Sequence, residues 1–209
     1  MSNYSAVQKR DAAITPLHQK NTLSAEEKIN SIKFHFSKIM ESLGLDLNDD
    51  SLRETPDRVA KMYVKEIFKG LDPVNYPEIT LFDNKLGYNG MLMEKDITVH
   101  SFCEHHFVPI IGKAKAAYFP KEKIIGLSKI NRLVQYFSSK PQVQENLTVE
   151  ISNELKRLLN TEDVAVYIEA RHMCVSARGI KDTESLTITS SFSGKFAEQE
   201  YKLEFLNSK

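Results

Sequence analysis

The sequence predicts an α+β chain in which two N-terminal helices precede a β-β-α-α-β-β unit. Three observations predict it. Apolar residues recur at helical spacing as far as Gly70, the period drops to two from residue 91, and two further helical patterns interrupt the strands between residues 127 and 158. Consecutive antiparallel strands carrying both helices on one face make a two-layer sandwich built on a four-stranded sheet. Such a sheet has two open edges, which proteins cover or pair. Pairing between copies is the expected solution, so the chain is expected to be a homo-oligomer.

Residues 1–22 are polar and aperiodic and read as a mobile N-terminal tail. Residues 23–89 read as a helical region with a connector, and residues 90–209 as the main domain. Ser24-Ala-Glu-Glu27 has the form of a capping box, and Ile29, Ile32, Phe36, Ile39 and Leu43 follow at helical spacing up to Gly44. Thr55-Pro56 predicts a second start, with Thr55 as cap and proline at the first helical position. Its apolar stripe is Val59, Met62, Tyr63 and Ile67, and it stops at Gly70. Prolines and glycines over 71–89 predict a connector with a short strand near Ile79–Phe82.

Met93, Ile97 and Val99 then alternate with Glu94, Asp96 and Thr98, the pattern of a half-buried strand. The stretch 107–119 repeats it, with Val108, Ile110, Ala114, Ala116 and Tyr118 on one face, and Cys103–His106 forms the hairpin-like link. Leu127, Ile130, Val134 and Phe137 mark one helix; Val143, Leu147, Ile151, Leu155 and Leu158 mark the next, with Lys140-Pro141 between them. Two strands close the unit, Val164 to about Val175 and Leu186 to Phe192, joined around Arg178-Gly179.

Composition narrows the function classes. Twenty-eight basic and 28 acidic side chains cancel, so no global field draws the chain to nucleic acid or to an anionic membrane. The longest apolar run, Val164–Ile168, is far short of the roughly 20 residues of a membrane span. The first ten residues hold no apolar core of the signal-peptide kind. Two cysteines are too few for a disulfide scaffold. A soluble, cytoplasmic chain is expected.

The chemistry-bearing residues gather in two places, Cys103, His105 and His106, and then His172 and Cys174. On a strand from Val164 the even-numbered residues share a face, so an apolar row ends in His172 and Cys174. Thiolate and imidazole are the ligands zinc prefers, and two cysteines with one histidine leave the fourth position open for catalysis. The same cysteines also read as one disulfide or as buried small apolar residues. After Gly126, Ser128 lies at a helix start where anions bind, and Lys129 and Arg132 lie three apart on one side. Arg178 follows Cys174 by four residues, and Arg58 and Lys61 lie three apart on the second helix. A solvated charged face is the ordinary reading of such cations, as favourable first-turn residues are of Gln144-Glu145.

Cys103-Glu-His-His-Phe107, Gly126-Leu-Ser-Lys-Ile-Asn-Arg132, Pro141-Gln-Val-Gln-Glu145 and Arg171-His-Met-Cys-Val-Ser-Ala-Arg-Gly179 together resemble the type I GTP cyclohydrolase family, as does Glu54-Thr-Pro-Asp-Arg-Val-Ala-Lys-Met-Tyr63. The resemblance runs from about Ser24 to Leu206. It implies zinc-dependent hydrolysis of GTP to formate and 7,8-dihydroneopterin triphosphate, the entry to pterin and tetrahydrofolate synthesis. It also implies the tunnelling fold, in which sheets of five subunits close a barrel and two pentamers stack into a decamer.

Carried over by motif, Cys103, His106 and Cys174 are the zinc ligands, and His105 and His172 the acid–base histidines. Glu145 with Gln144 matches the guanine-recognition segment. Ser128, Lys129, Arg132 and Arg178 match the triphosphate side, joined by Arg58 and Lys61 from a neighbouring subunit. Two other readings compete. One is a member of the same fold acting on a pterin or deazaguanine; the other is a non-catalytic module held by zinc or a disulfide.

Overall fold

A computed structural model describes residues 23–208 of the chain; the tail expected over residues 1–22 lies outside the described residues. Helix α1 (Ala25–Ser42) opens on the capping box: Glu27 N donates to Ser24 Oγ at 3.2 Å and Ser24 N to Glu27 Oε2 at 2.8 Å. It ends at Gly44, whose φ of +79° suits a residue without a Cβ.

Helix α2 (Thr55–Met62) departs from expectation at its start. Glu54, not Thr55, is the cap, and no side chain bonds there. The helical path does run to Gly70, but as a π turn over Tyr63–Ile67 and a 3-10 turn over Lys69–Leu71. Gly70 is required by close approach: a Cβ there would collide with the carbonyl oxygens of Tyr136 and Ser139, and Gly70 N donates to Ser139 O at 2.8 Å. A short pair, β1 (Leu81–Asp83) with β4 (Lys123–Ile125), closes the connector; β4 was not foreseen.

The main sheet has the order β5-β2-β3-β6-β7, from β5 (Pro141–Gln142), β2 (Leu92–Cys103), β3 (Pro109–Tyr118), β6 (Val164–His172) and β7 (Thr187–Phe192). The four long strands are antiparallel as expected. The two-residue β5 adds a parallel fifth strand, with Phe102 opposite Pro141 and Cys103 opposite Gln142. Helices α3 (Leu127–Ser138) and α4 (Gln144–Leu159) cover one face. Ile97, Val99, Ile110, Ile130, Leu147, Ile151 and Ile168 are among the buried side chains of the core between them.

Strict alternation fails once. A bulge between Glu94 and Ile97, with Asp96 at φ +56°, inserts one residue into β2 and reverses its phase. Met93 therefore packs on the opposite face from Ile97 and Val99. That opposite face is covered at one end by a 3-10 turn (Gly194–Ala197) and by α6 (Gln199–Asn207), neither of which the apolar periodicity had marked. They bury Phe196 and Phe205 against Ala117, Phe119 and Ala165, a burial that contributes about 1.5–3 kcal/mol for each ring. Farther along the face Ile111 and Ile188 are exposed. Among the described residues no helix is long and apolar enough to cross a membrane.

Candidate active site

The site forms where β2, β5 and β6 end together. Between β2 and β3 the chain turns tightly: Cys103 N donates to Val108 O and Phe107 N to Cys103 O, both at 2.9 Å, with Phe107 at φ +52°. Phe68, buried behind α2, meets Phe102 and Phe107 edge-on at centroid distances of 5.7 and 5.1 Å, so the helical region pins this turn. On the other side Glu104 N donates to Gln142 O, while Gln142 Nε2 donates to Phe137 O and to Glu150 Oε2. The turn is thus held from both flanks.

Cys174 arrives differently from the strand reading. β6 ends at His172, and Met173–Ser176 forms a single helical turn, α5. Cys174 therefore does not share a strand face with His172; the turn swings its thiol toward Cys103. Both cysteines are free thiols, Cys103 buried and Cys174 half-buried. Ligand atoms of Cys103, His106 and Cys174 all lie within 4.8 Å of one another.

Sulfur at about 2.3 Å and nitrogen at about 2.0 Å around a tetrahedral ion sit roughly 3.5 Å apart. Cys103 Sγ lies 3.7 Å from His106 Nδ1, so the residues fit a metal of that kind. His105 Nδ1 stands 3.8 Å from the same sulfur, its ring exposed, with Glu104 Oε1 3.8 Å from its other nitrogen. Burial pushes the Cys174 thiol up, and the neighbouring Cys103 adds to the effect. A metal that takes the thiolates must therefore displace protons.

Arg178 Nη1 lies 3.1 Å from His106 Nε2, so this cation stands at the cluster, exposed. His172 Nε2 lies 2.7 Å from Gln144 Oε1 on the first turn of α4. Glu145, next along, is exposed and near enough to oppose the fall in the His172 pKa. Gln144, expected beside a base, is 1% exposed, with its amide engaged by this chain's own groups.

Ser128 and Arg132 are exposed on α3 and Lys129 is half-buried there; Gly126 caps that helix. Among the described residues no hydrogen bond or ion pair joins these three to the cysteine cluster. Arg58 bonds Glu54 at 2.8 Å and Lys61 bonds Asp57 at 2.6 Å, each one turn away on α2, and Lys33 ties the same Asp57 to α1. The sequence reading missed Thr148, Ser152 and Thr189. The first two fall at i+4 and i+8 from Gln144, and a polar row on a buried helix face was the available signal.

Burial holds the His172 pKa below its ordinary value of about 6.5. The unfolded chain therefore takes up this proton first as pH falls. Stability due to a neutral His172 is complete above about pH 6.5 and is lost as pH falls through the folded value. Against His172→Gln, whose side chain does not titrate, the native chain should lose stability in urea unfolding below pH 6.5. Parallel curves would contradict the shift.

The family model described as GTP cyclohydrolase I matches residues 32–209. The chain belongs to the GTP cyclohydrolase I family. It is 55% identical over 185 residues to GTP cyclohydrolase 1 of Flavobacterium johnsoniae, covering 88% of this chain and 83% of that one. It is 53% identical over 195 residues to GTP cyclohydrolase 1 of Yersinia enterocolitica, covering 93% and 88%. Among solved structures, the apo archaeosine synthase QueF-Like overlaps with a TM-score of 0.39 at 16% identity, over 48% of this chain and 92% of that one.

Proposed function

We infer that Cys103, His106 and Cys174 hold zinc, and that at this centre the chain hydrolyses GTP to formate and 7,8-dihydroneopterin triphosphate, the first step of pterin and tetrahydrofolate synthesis. Family membership supports the reaction. The observation that carries the site is the convergence of two thiols and one imidazole from distant parts of the chain. Three ligands instead of four leave one tetrahedral position open, the mark of a catalytic ion. Bound there, zinc supplies Lewis-acid polarisation and lowers the pKa of a water to about 7.

The remaining tasks fall to side chains. Opening the guanine imidazole ring, releasing carbon 8 as formate and rearranging the ribose each require proton transfers, for which His172 and His105 are the carriers. Glu145, open on the first turn of α4, accepts from the N1–H and 2-amino group of guanine together, a pairing adenine does not offer. Arg178, Lys129, Arg132 and Ser128 bind the triphosphate, arginine contributing bidentate contacts.

Arg58 and Lys61 serve the triphosphate of a neighbouring copy. The exposed Arg58–Glu54 pair contributes little, so a phosphate readily replaces Glu54, and Asp57 keeps Lys33 as a partner when Lys61 turns to a phosphate. The open sides of β2 and β7 support the tunnelling fold, with edges pairing between copies into pentameric barrels and a decamer. The main domain of residues 90–209 carries the metal, and the helical region of 23–89 carries these two cations. Free thiols suit the cytoplasm.

The purified chain incubated with GTP should release formate and, after oxidation, a fluorescent pterin. Chelation should stop both, and added zinc should restore them. Formate release indifferent to chelation would remove zinc from the reading, and no product at full zinc content would remove the reaction. Shared sites predict a further result: oligomers mixing Arg58→Ala with Cys174→Ser subunits should be more active than either parent. Verified mixed oligomers without recovery would return Arg58 to its own chain.

A further inference from the structure

The surroundings of Gln144 leave its protons only one arrangement. Its Nε2 lies 3.1 Å from Ile168 O, 2.9 Å from Thr187 O and 3.1 Å from Thr189 Oγ1. Two of these partners are carbonyl oxygens, which only accept, so the amide nitrogen must face them. The reversed amide would set oxygen against oxygen at a residue 1% exposed, where no solvent can compensate. Gln144 Oε1 therefore faces His172 Nε2, 2.7 Å away. An amide oxygen cannot donate, so that ring nitrogen carries the hydrogen.

Two hydroxyls complete the order. Thr148 Oγ1 donates to Gln144 O at 2.9 Å, one helical turn back, which uses its only hydrogen. In the 2.7 Å contact between the hydroxyls, Thr189 is then the donor to Thr148. The Thr189 oxygen is left to accept from Gln144 Nε2, whose two hydrogens are shared among this hydroxyl and the two carbonyls, and each hydroxyl proton of the ring Gln144–Thr189–Thr148 has one place. Thr148 is buried and Thr189 half-buried, so β7 and α4 together hold the ring.

We propose that Gln144 is a positioning residue: oriented by the Thr189–Thr148 hydroxyl pair and by two strand carbonyls, it fixes His172 as the Nε2–H tautomer and leaves Nδ1 as its open nitrogen. The consequence for turnover rests on the proposed role of His172; the tautomer itself does not depend on GTP. An imidazole in the wrong tautomer presents a hydrogen where a lone pair is needed, or the reverse, and such errors cost about 10⁴-fold in a well-studied hydrolase.

Nitrogen-15 magic-angle-spinning spectra of the full, metal-loaded chain labelled at histidine test this at about pH 8, with His172→Gln identifying the His172 signals. Expected are a protonated Nε2 and an unprotonated Nδ1. Gln144→Met, of similar shape and without the acceptor, should admit the other tautomer and lower kcat roughly 10²-fold with KM little changed. Thr189→Val should produce a smaller shift in the same direction, and Thr189→Ser, which keeps the hydroxyl, should recover most of it. A hydrogen on Nδ1 in the native chain overturns the proposal even if neither variant folds. So does an unchanged tautomer in Gln144→Met, and a KM effect without a kcat effect would make Gln144 a guanine contact. Full turnover in His172→Ala beside the expected spectrum would instead remove the catalytic role of His172 and leave the tautomer standing.

Discussion

Cys174→Ser is expected to lose stoichiometric zinc and essentially all release of formate from GTP, while the chain stays folded. A serine hydroxyl remains protonated near neutral pH and is a harder, weaker ligand than a thiolate. The fold should survive because Cys174 is half-buried on the four-residue α5, whereas the core between sheet and helices rests on Ile97, Val99, Ile130, Leu147, Ile151 and Ile168. His106→Ala should behave alike, its ring being exposed. Cys103→Ser should lose the metal too, with some loss of stability, because Cys103 is itself a buried member of that core. Metal analysis beside a formate assay checks all three. Full zinc content in Cys174→Ser would sink the assignment.

His172→Ala should part metal from chemistry. Its imidazole bonds Gln144 and stands outside the group of three ligand atoms. Zinc content should therefore remain near that of the native chain while turnover falls about 10²–10⁴-fold, the share a general acid–base group contributes. Zinc loss as severe as in Cys174→Ser would make His172 a ligand and leave the proton transfers without their main carrier.

What the sequence displayed, and what it concealed, divides along physical lines. Features set by local chemistry were legible: the Ser24–Glu27 box, the stop at Gly44 and the alternation of Ile97 and Val99 with Thr98 need only neighbours in the chain. The bulge that turns Met93 to the other face was not, because it arises from pairing with β3 and leaves hydropathy unchanged. Cys174 looked like a strand residue since Val164 to Ala170 set a period of two, which the helical turn at Met173 then breaks. The helix α6 stayed hidden because Phe205 is its only buried residue, too little to set a 3.6-residue period.

The site shows the same division. The Cys-x-x-His spacing and the later cysteine pointed to a metal, and the three ligand atoms do converge. Arg178 also reaches the cluster, through His106. Arg58 and Lys61 bond within α2, and no local rule tells where a helix outside the sheet directs its charges in an assembly. Gln144 was noticed for its place in a motif. Its work within the chain emerged only when Thr189, 45 residues on, was brought beside it.

Zinc K-edge X-ray absorption on the purified, active chain tests the central claim most directly. Two sulfur neighbours at about 2.3 Å with nitrogen or oxygen neighbours at about 2.0 Å are expected, one sulfur being lost with Cys174→Ser. A shell of nitrogen and oxygen alone, or one unchanged in Cys174→Ser, would contradict a catalytic centre built from Cys103, His106 and Cys174.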